Sequence, residues 1–346
     1  MNSIQVRRVV DSDETSWDRL VASCRDSTFF HRWGWRDLLC ASLGYSDHYL
    51  CAVDDQGIVG ILPLVGVNSR LFGRSLTSLP FCSYAGPIAI GDNSEDVVSC
   101  LIATAVEMGR QMDVSHVELR GLSPMTVDAP RQSLYSTFRA AIPDQLDSMK
   151  GIPQKRRNVV RRAVTLGLKD TVGQEADRFF ELSAENARAH GTPALGKSFF
   201  RDLIRVFPND CDVLFVSDDK GRDVSVILNF YHHDEVLAYF AGELESAREC
   251  NANDFKYWSL MKHAAQRGCT RFDFGRSKAG TGSFQFKRLW GFEPNLLHYE
   301  FPYLPSGIVP QNNPMNPKYR LAIETWKRLP RAVVDRLGPV LVGGLG

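Results

Sequence analysis

The sequence is short of the marks that announce several common functions. No two of its eight cysteines stand at the two-to-four-residue spacing of a zinc knuckle, so the thiols read as reduced and mostly buried. No metal site is expected. The opening MNSIQVRRVVDSDETSW has no apolar core for a signal peptide. No stretch approaches the roughly 20 apolar residues of a membrane span. Lys+Arg number 41 against Asp+Glu 40, a balance that excludes a protein built to coat nucleic acid. There is no Walker loop and no Gly-x-Ser-x-Gly elbow. His232-His233 would point to opposite faces of a strand, which is poor geometry for a shared metal. We expect a cytoplasmic compartment as the default.

What is present is a long apolar-rich chain that repeats itself. With 346 residues, 44% of them hydrophobic, the length exceeds the roughly 250–300 residues at which single cores stop growing. Arg36-Asp37-Leu38-Leu39 followed by the hairpin signal Asp54-Asp55-Gln56-Gly57 is answered by Arg201-Asp202-Leu203-Ile204 and Asp218-Asp219-Lys220-Gly221. Tyr84-Ala85-Gly86 is answered by Phe240-Ala241-Gly242. Each is followed by a helix with apolar residues at three-to-four spacing, Ser94–Met112 and Asn253–Arg267. Each helix leads to a short strand, Val117–Arg120 and Phe272–Phe274. The order predicts a duplicated α/β unit with mixed sheets. We expect domains at 1–149 and 150–305, the second ending in a strand at Leu296–Phe301, then a Pro-punctuated connector and basic helix over 306–346.

Charge and glycine mark two candidate regions. Lys150–Lys169 carries Lys150, Lys155, Arg156, Arg157, Arg161, Arg162 and Lys169 with no acid, and Arg157 and Arg161 share a helix face suited to phosphate. A solvated surface helix is the plainer reading. Asp273-Phe274-Gly275-Arg276-Ser277-Lys278-Ala279-Gly280-Thr281-Gly282 precedes a helix bearing Lys287 and Trp290. Gly280 and Gly282 would expose backbone N–H groups to an anion, and Arg276, Lys278 and Lys287 would converge at one end of the sheet. Simple turn glycines and a surface lysine are the plainer reading. His31, beside Phe30 and Trp33, and Tyr84 are weighed as pocket residues against ordinary core.

At these residues a family is recognisable. Phe272–Gly282, then Phe286-Lys287-x-x-Trp290-Gly291-Phe292-Glu293-Pro294, with Ile61–Leu64, Ser78–Phe81, Gly191-Thr192-Pro193 and Asn316–Arg320, resembles the FemAB-related branch associated with PEP-CTERM/exosortase systems. The element order likewise resembles the GNAT acyltransferase fold. The resemblance implies tandem GNAT-like domains, an N-acyltransferase and a phosphate-bearing cell-envelope or exopolysaccharide precursor as acceptor. It implies no tightly bound cofactor and aminoacyl-tRNA as donor, with acyl-CoA or acyl carrier protein as alternatives. It puts charge stabilisation on Lys287, supported by Arg276, with Asp273 or a substrate phosphate taking the amine proton. Arg157 and Arg161 become the diphosphate candidates, and Lys278, Gly280, Gly282, Tyr84, His31 and Trp290 join them in substrate binding. The pyrophosphate signature of coenzyme-A users is missing from Ala241–Asn253 (AGELESARECNAN). A non-catalytic sugar-phosphate or peptide-binding module is the alternative class. The tail 316–346, basic and amphipathic, suggests peripheral contact with anionic lipid at the inner membrane.

Overall fold

The computed structural model describes residues 4–69, 73–126, 128–310 and 320–343. They form two compact units: Met1–Leu134 with Leu296–Asn313 and Val340–Gly346, and Tyr135–Asn295 with Pro314–Pro339. This division differs from the expected one at residue 150, because the chain crosses between the units by exchanging strands.

In the first unit, Gln5–Arg8, Leu50–Asp54, Gly57–Leu62 and Ile88–Ala89 make one sheet. Pro63, which has no N–H to donate, follows Leu62, and the chain continues into a second sheet. There Val65–Ser69 pairs with Gly73–Thr77, which runs parallel to His116–Gly121. The helix Ser94–Gln111 buries Val97, Leu101 and Ala105. In the second unit one six-stranded sheet contains Cys211–Ser217, Asp223–His232, Glu235–Glu243 and Arg271–Asp273 in spatial order. The helices Gln154–Thr165 and Ala252–Gln266 pack together, and Ala176–His190 lies against Asp223–His232 and Glu235–Glu243. Both hairpins turn as the Asp-Asp-x-Gly signal requires. Asp54 and Asp218 accept from the amides of Gln56 and Lys220 at 2.8 and 3.0 Å, and Gly57 and Gly221 take positive φ.

The exchange is reciprocal. Arg139–Ala141 pairs antiparallel with Arg271–Asp273, while His298–Tyr303 pairs antiparallel with His116–Gly121. The strand expected to close the second domain therefore completes the sheet of the first. Two buried polar anchors hold it there. Tyr299 Oη donates to Ser83 O at 2.9 Å, and Glu300, fully buried, accepts from Thr126 N and Oγ1 at 2.8 and 2.7 Å and pairs with Arg131 at 3.1 Å. Breaking either leaves a buried polar group without a partner, at roughly 1–3 kcal/mol each.

His232 and His233 depart from the strand-face expectation. The strand ends at His232, His233 turns with φ 52°, and the two rings come within 4.1 Å. Among the described residues no group of three or more His, Cys, Asp or Glu is placed to hold a metal ion. All eight cysteines are thiols outside any disulfide. Cys24, Cys51, Cys82 and Cys211 are buried, and Cys100 is exposed. No described helix is long and apolar enough to cross a membrane.

Candidate active site

In the second unit Glu235–Glu243 and Arg271–Asp273 run parallel and pair only from Glu235↔Arg271 to Leu237↔Asp273. Beyond Leu237 the longer strand goes on alone on that side, and its register with Asp223–His232 slips opposite Tyr239. A bulge at such a point bends the strand away from its neighbour. The chain after Asp273 turns at Gly275, whose φ is +72° and where a Cβ would lie 2.8 Å from Ala238 O. Only glycine fits that crossing.

The helix Gly282–Leu289 starts beside this opening. Thr281 caps it, its Oγ1 accepting from Phe284 N at 3.4 Å, after a positive-φ turn at Gly280. Phe284 and Lys287, one turn apart, face Phe138. The two rings sit 5.1 Å apart, and Lys287 Nζ lies 5.7 Å from the Phe138 centroid. Trp290 is buried against Phe274 and Phe286. Fully burying each such aromatic contributes about 1.5–3 kcal/mol, which keeps the helix seated.

Lys287 is 6% exposed. The surface-lysine reading is therefore excluded. Its Nζ donates to Gly275 O at 2.7 Å and to Arg276 O at 3.3 Å. Burial pushes its pKa down to about 8; Asp273 pulls it up and Arg276 adds to the fall. An ammonium has three protons, and two are taken by these carbonyls.

The other expected residues divide. Arg276 is exposed, its guanidinium 4.6 Å from the Tyr135 ring centroid, and Lys278 is half-buried in register with Tyr135. Asp273 is fully buried. Its Oδ1 accepts from Thr137 Oγ1 at 2.5 Å and Gly275 N at 2.7 Å, and Oδ2 lies 3.7 Å from Arg139 Nε. So enclosed, this carboxylate is a poor acceptor for a substrate proton, which corrects the role expected of it. A Cβ at Gly280 or Gly282 would meet no other residue's atoms within 4 Å, and Gly280 takes the positive φ of +79° that its turn requires. Trp290 belongs to the core rather than to a binding surface.

His31 and Tyr84 lie in the first unit, both buried. His31 Nδ1 accepts from Thr28 N at 2.9 Å, so its Nε2–H donates to Gly86 O at 2.9 Å. Burial lowers its pKa to about 4. It is a neutral core histidine with both nitrogens used. Tyr84 packs on Phe30 at 5.4 Å. The structure corrects both from pocket to core.

The basic helix spans Gln154–Thr165. Arg161 is exposed, whereas Arg157 is half-buried and its Nε has no hydrogen-bond partner among the described residues. The arginine that reaches inward is Arg156, paired with Asp254 at 3.1 Å. The spacing Arg156, Val160, Ala163 marks the buried face and was the available signal. Asp254 stands in the first turn of Ala252–Gln266, and burial raises its pKa against the opposing pull of Arg156 and Trp290. Lys256, which carries no motif in the sequence, is also fully buried and donates to Glu243 Oε1 at 2.7 Å.

A cavity of about 790 Å³ in the same unit opens beside Cys269, Thr270 and Lys262. It lies before the strand Arg271–Asp273 begins, whereas Lys287 meets the carbonyls after that strand ends.

Residues 148–288 match the family model described as an acetyltransferase (GNAT) domain. No curated protein matches the chain at the sequence level. Solved structures do. The crystal structure of FemX is 12% identical, covers 86% of this chain and 97% of its own, and has a TM-score of 0.64. The C-terminal domain of a protein named as a lysylphosphatidylglycerol synthetase from Agrobacterium fabrum is 15% identical over 83% of this chain and 91% of its own, with a TM-score of 0.56. A tandem GNAT protein from the clavulanic acid biosynthesis pathway is 12% identical over 87% and 99%, with a TM-score of 0.54. At such identities the likeness is one of fold: the chain is a tandem pair of GNAT-like domains with mixed sheets.

Proposed function

We propose that the second unit transfers an acyl or aminoacyl group to an amine. The observation that carries this reading is Lys287, a buried ammonium at the opening between two parting strands, held by two backbone carbonyls and lying over the Phe138 ring. When an amine attacks an ester or thioester, a C–N bond forms and the carbonyl electron pair moves onto oxygen. Collapse of that oxyanion expels the alcohol or thiol. One donor aimed at the oxyanion is worth about 3–4 kcal/mol. With Asp273 enclosed, the amine proton leaves to a substrate phosphate or to solvent.

The donor we favour is aminoacyl-tRNA. In a coenzyme-A user the diphosphate would sit at the start of the helix Ala252–Gln266, but here Asp254 already occupies the first turn and no glycine lies between Leu244 and Asn251. The acceptor we favour is a phosphate-bearing envelope or exopolysaccharide precursor, with Arg157 and Arg161 facing its diphosphate; the PEP-CTERM/exosortase resemblance supports that setting. Steady-state transfer by the parent and Lys287→Ala, offered aminoacyl-tRNA, acetyl-coenzyme A and acyl carrier protein in turn, tests the reading. We expect a loss of roughly a hundredfold or more with the preferred donor. A loss under about tenfold removes Lys287 from the chemistry.

We also propose lipid contact through the tail. Its described helices Arg320–Arg328 and Arg331–Gly343 are parted at Pro330. Trp326 and Val334 are buried, Arg331 pairs with Glu181, and Val333 and Leu337 face outward beside the exposed Arg336. Sedimentation with phosphatidylglycerol vesicles should be weaker for Leu337→Glu than for the parent; equal partitioning discards the contact. Residues 316–319 and 344–346 of that expectation lie outside the described residues.

A further inference from the structure

Residues 135–141 grip both sides of the loop that carries the Lys287 carbonyls. Tyr135 and Ser136 pair with Lys278 and Ser277 on one side. Arg139, Ala140 and Ala141 pair with Asp273, Phe272 and Arg271 on the other. Phe274 N donates to Phe138 O at 3.0 Å between them. The residues left to bulge outward are Gly275 and Arg276, whose carbonyls receive Lys287 Nζ. Thr137 points at the root of this bulge. It is fully buried, and its hydroxyl meets the same Asp273 oxygen that accepts from Gly275 N.

We propose that Thr137 and Asp273 are positioning residues for Lys287: the Thr137 hydroxyl orients the Asp273 carboxylate, which holds the Gly275 turn whose carbonyls seat the ammonium. The proposal rests on the reading of Lys287 given above, but it concerns how that group is held and charged. Neither residue reaches the reacting atoms. The alternative for Thr137 is packing, which would depend on its methyl group and shape.

The charged groups acting on the Lys287 ammonium are Asp273, from the neighbouring strand, and Arg276, from the loop. Asp273 in turn faces Arg139 and, through it, Glu235, whose carboxylate accepts from Arg139 at 2.9 and 3.0 Å. A negative Asp273 favours the protonated lysine and Arg276 opposes it. A Thr137 donor steadies the negative carboxylate and so acts in the direction of Asp273.

The test reads the lysine itself. In the full-length chain labelled with ¹³C-lysine, the Cε resonance absent from Lys287→Ala is followed against pH, with no substrate added. Asp273→Asn should lower the midpoint by about one pH unit, and Arg276→Gln should raise it. Thr137→Val should lower it by less, while Thr137→Ser should leave it in place. An unmoved midpoint in folded Asp273→Asn overturns the proposal, as does a pattern in which Ser and Val shift it equally. Should Asp273→Asn not fold, the Thr137 pair decides alone: a shift for Val without one for Ser supports the proposal, and no shift in either overturns it. Because this measurement needs no transfer, a failure here is separate from a failure of the Lys287→Ala assay, which would strike the acyltransfer reading.

Discussion

Glu118 of the first unit and Asp273 of the second occupy matching places. Each is the last residue of a parallel ladder, Thr77↔Glu118 in one and Leu237↔Asp273 in the other. Their surroundings differ. Glu118 Oε1 accepts from Arg120 Nε at 2.7 Å, and Arg120 NH1 in turn caps Leu79 O and Cys82 O at 3.2 and 3.3 Å. The loop so held keeps Leu79 and Phe81 at φ 55° and 62°, a conformation that costs bulky residues of order 1–3 kcal/mol. Asp273 instead holds a glycine turn, and a lysine arrives from the helix that follows. Between Gly121 and Arg131 the first unit has no such helix among the described residues. One framework thus serves two ends. In the first unit a permanent cation closes the strand end, and in the second a titratable cation is seated there on two backbone carbonyls.

The sharpest way to break this comparison is to open the first unit's strand end. Arg120 is 5% exposed and lies 5.3 Å from the Tyr299 ring centroid, besides its carbonyl and carboxylate partners. Arg120→Met leaves Glu118 and two buried carbonyls without it. Removing one partner of a buried pair costs about 3–5 kcal/mol, and denaturant unfolding should show a loss of that size. The Lys287 titration should not move. If Arg120→Met shifted it as far as Arg276→Gln, the two strand ends would not be independent and the division of labour would fail.

Much of this was legible in the residues. Duplication shows because local signals, hairpin turns and amphipathic helices, were copied with the framework. Lys287 shows through the Phe286-Lys287-x-x-Trp290-Gly291 pattern and the resemblance it carries, but its burial does not, since a lysine beside Arg288 reads equally well as a surface residue. The strand exchange does not show. Arg139 meets Asp273, and Tyr299 meets Arg120, across more of the chain than any periodicity spans. The same distance hides Thr137, whose importance lies wholly in what the exchange brings to it. Asp273 was visible as an acid near a lysine, but only packing reveals that it is fully enclosed, with Oδ1 held by Thr137 and Gly275. His31 and Tyr84 misled because an aromatic-flanked histidine looks the same in sequence whether it lines a pocket or fills a core.

A smaller effect sharpens the contrast between the two cations. An arginine stays protonated at any pH a folded protein survives, so Arg120 contributes no pH dependence. Lys287 does, because its pKa is near 8 in the folded chain against 10.5 for an ordinary lysine. Below pH 8 both folded and unfolded chains hold the proton, and the folded state bears the full cost of a buried charge. Between pH 8 and 10.5 the unfolded chain still binds a proton that the folded chain has released, so stability rises with pH there. Other groups titrate over the same range, but they are common to the parent and Lys287→Met and cancel in the difference. Unfolding free energies of the two chains, measured side by side, should therefore diverge in the parent's favour by on the order of 2–3 kcal/mol across that window. A flat difference would mean that Nζ is not desolvated, and the second unit's strand end would hold its cation no differently from the first.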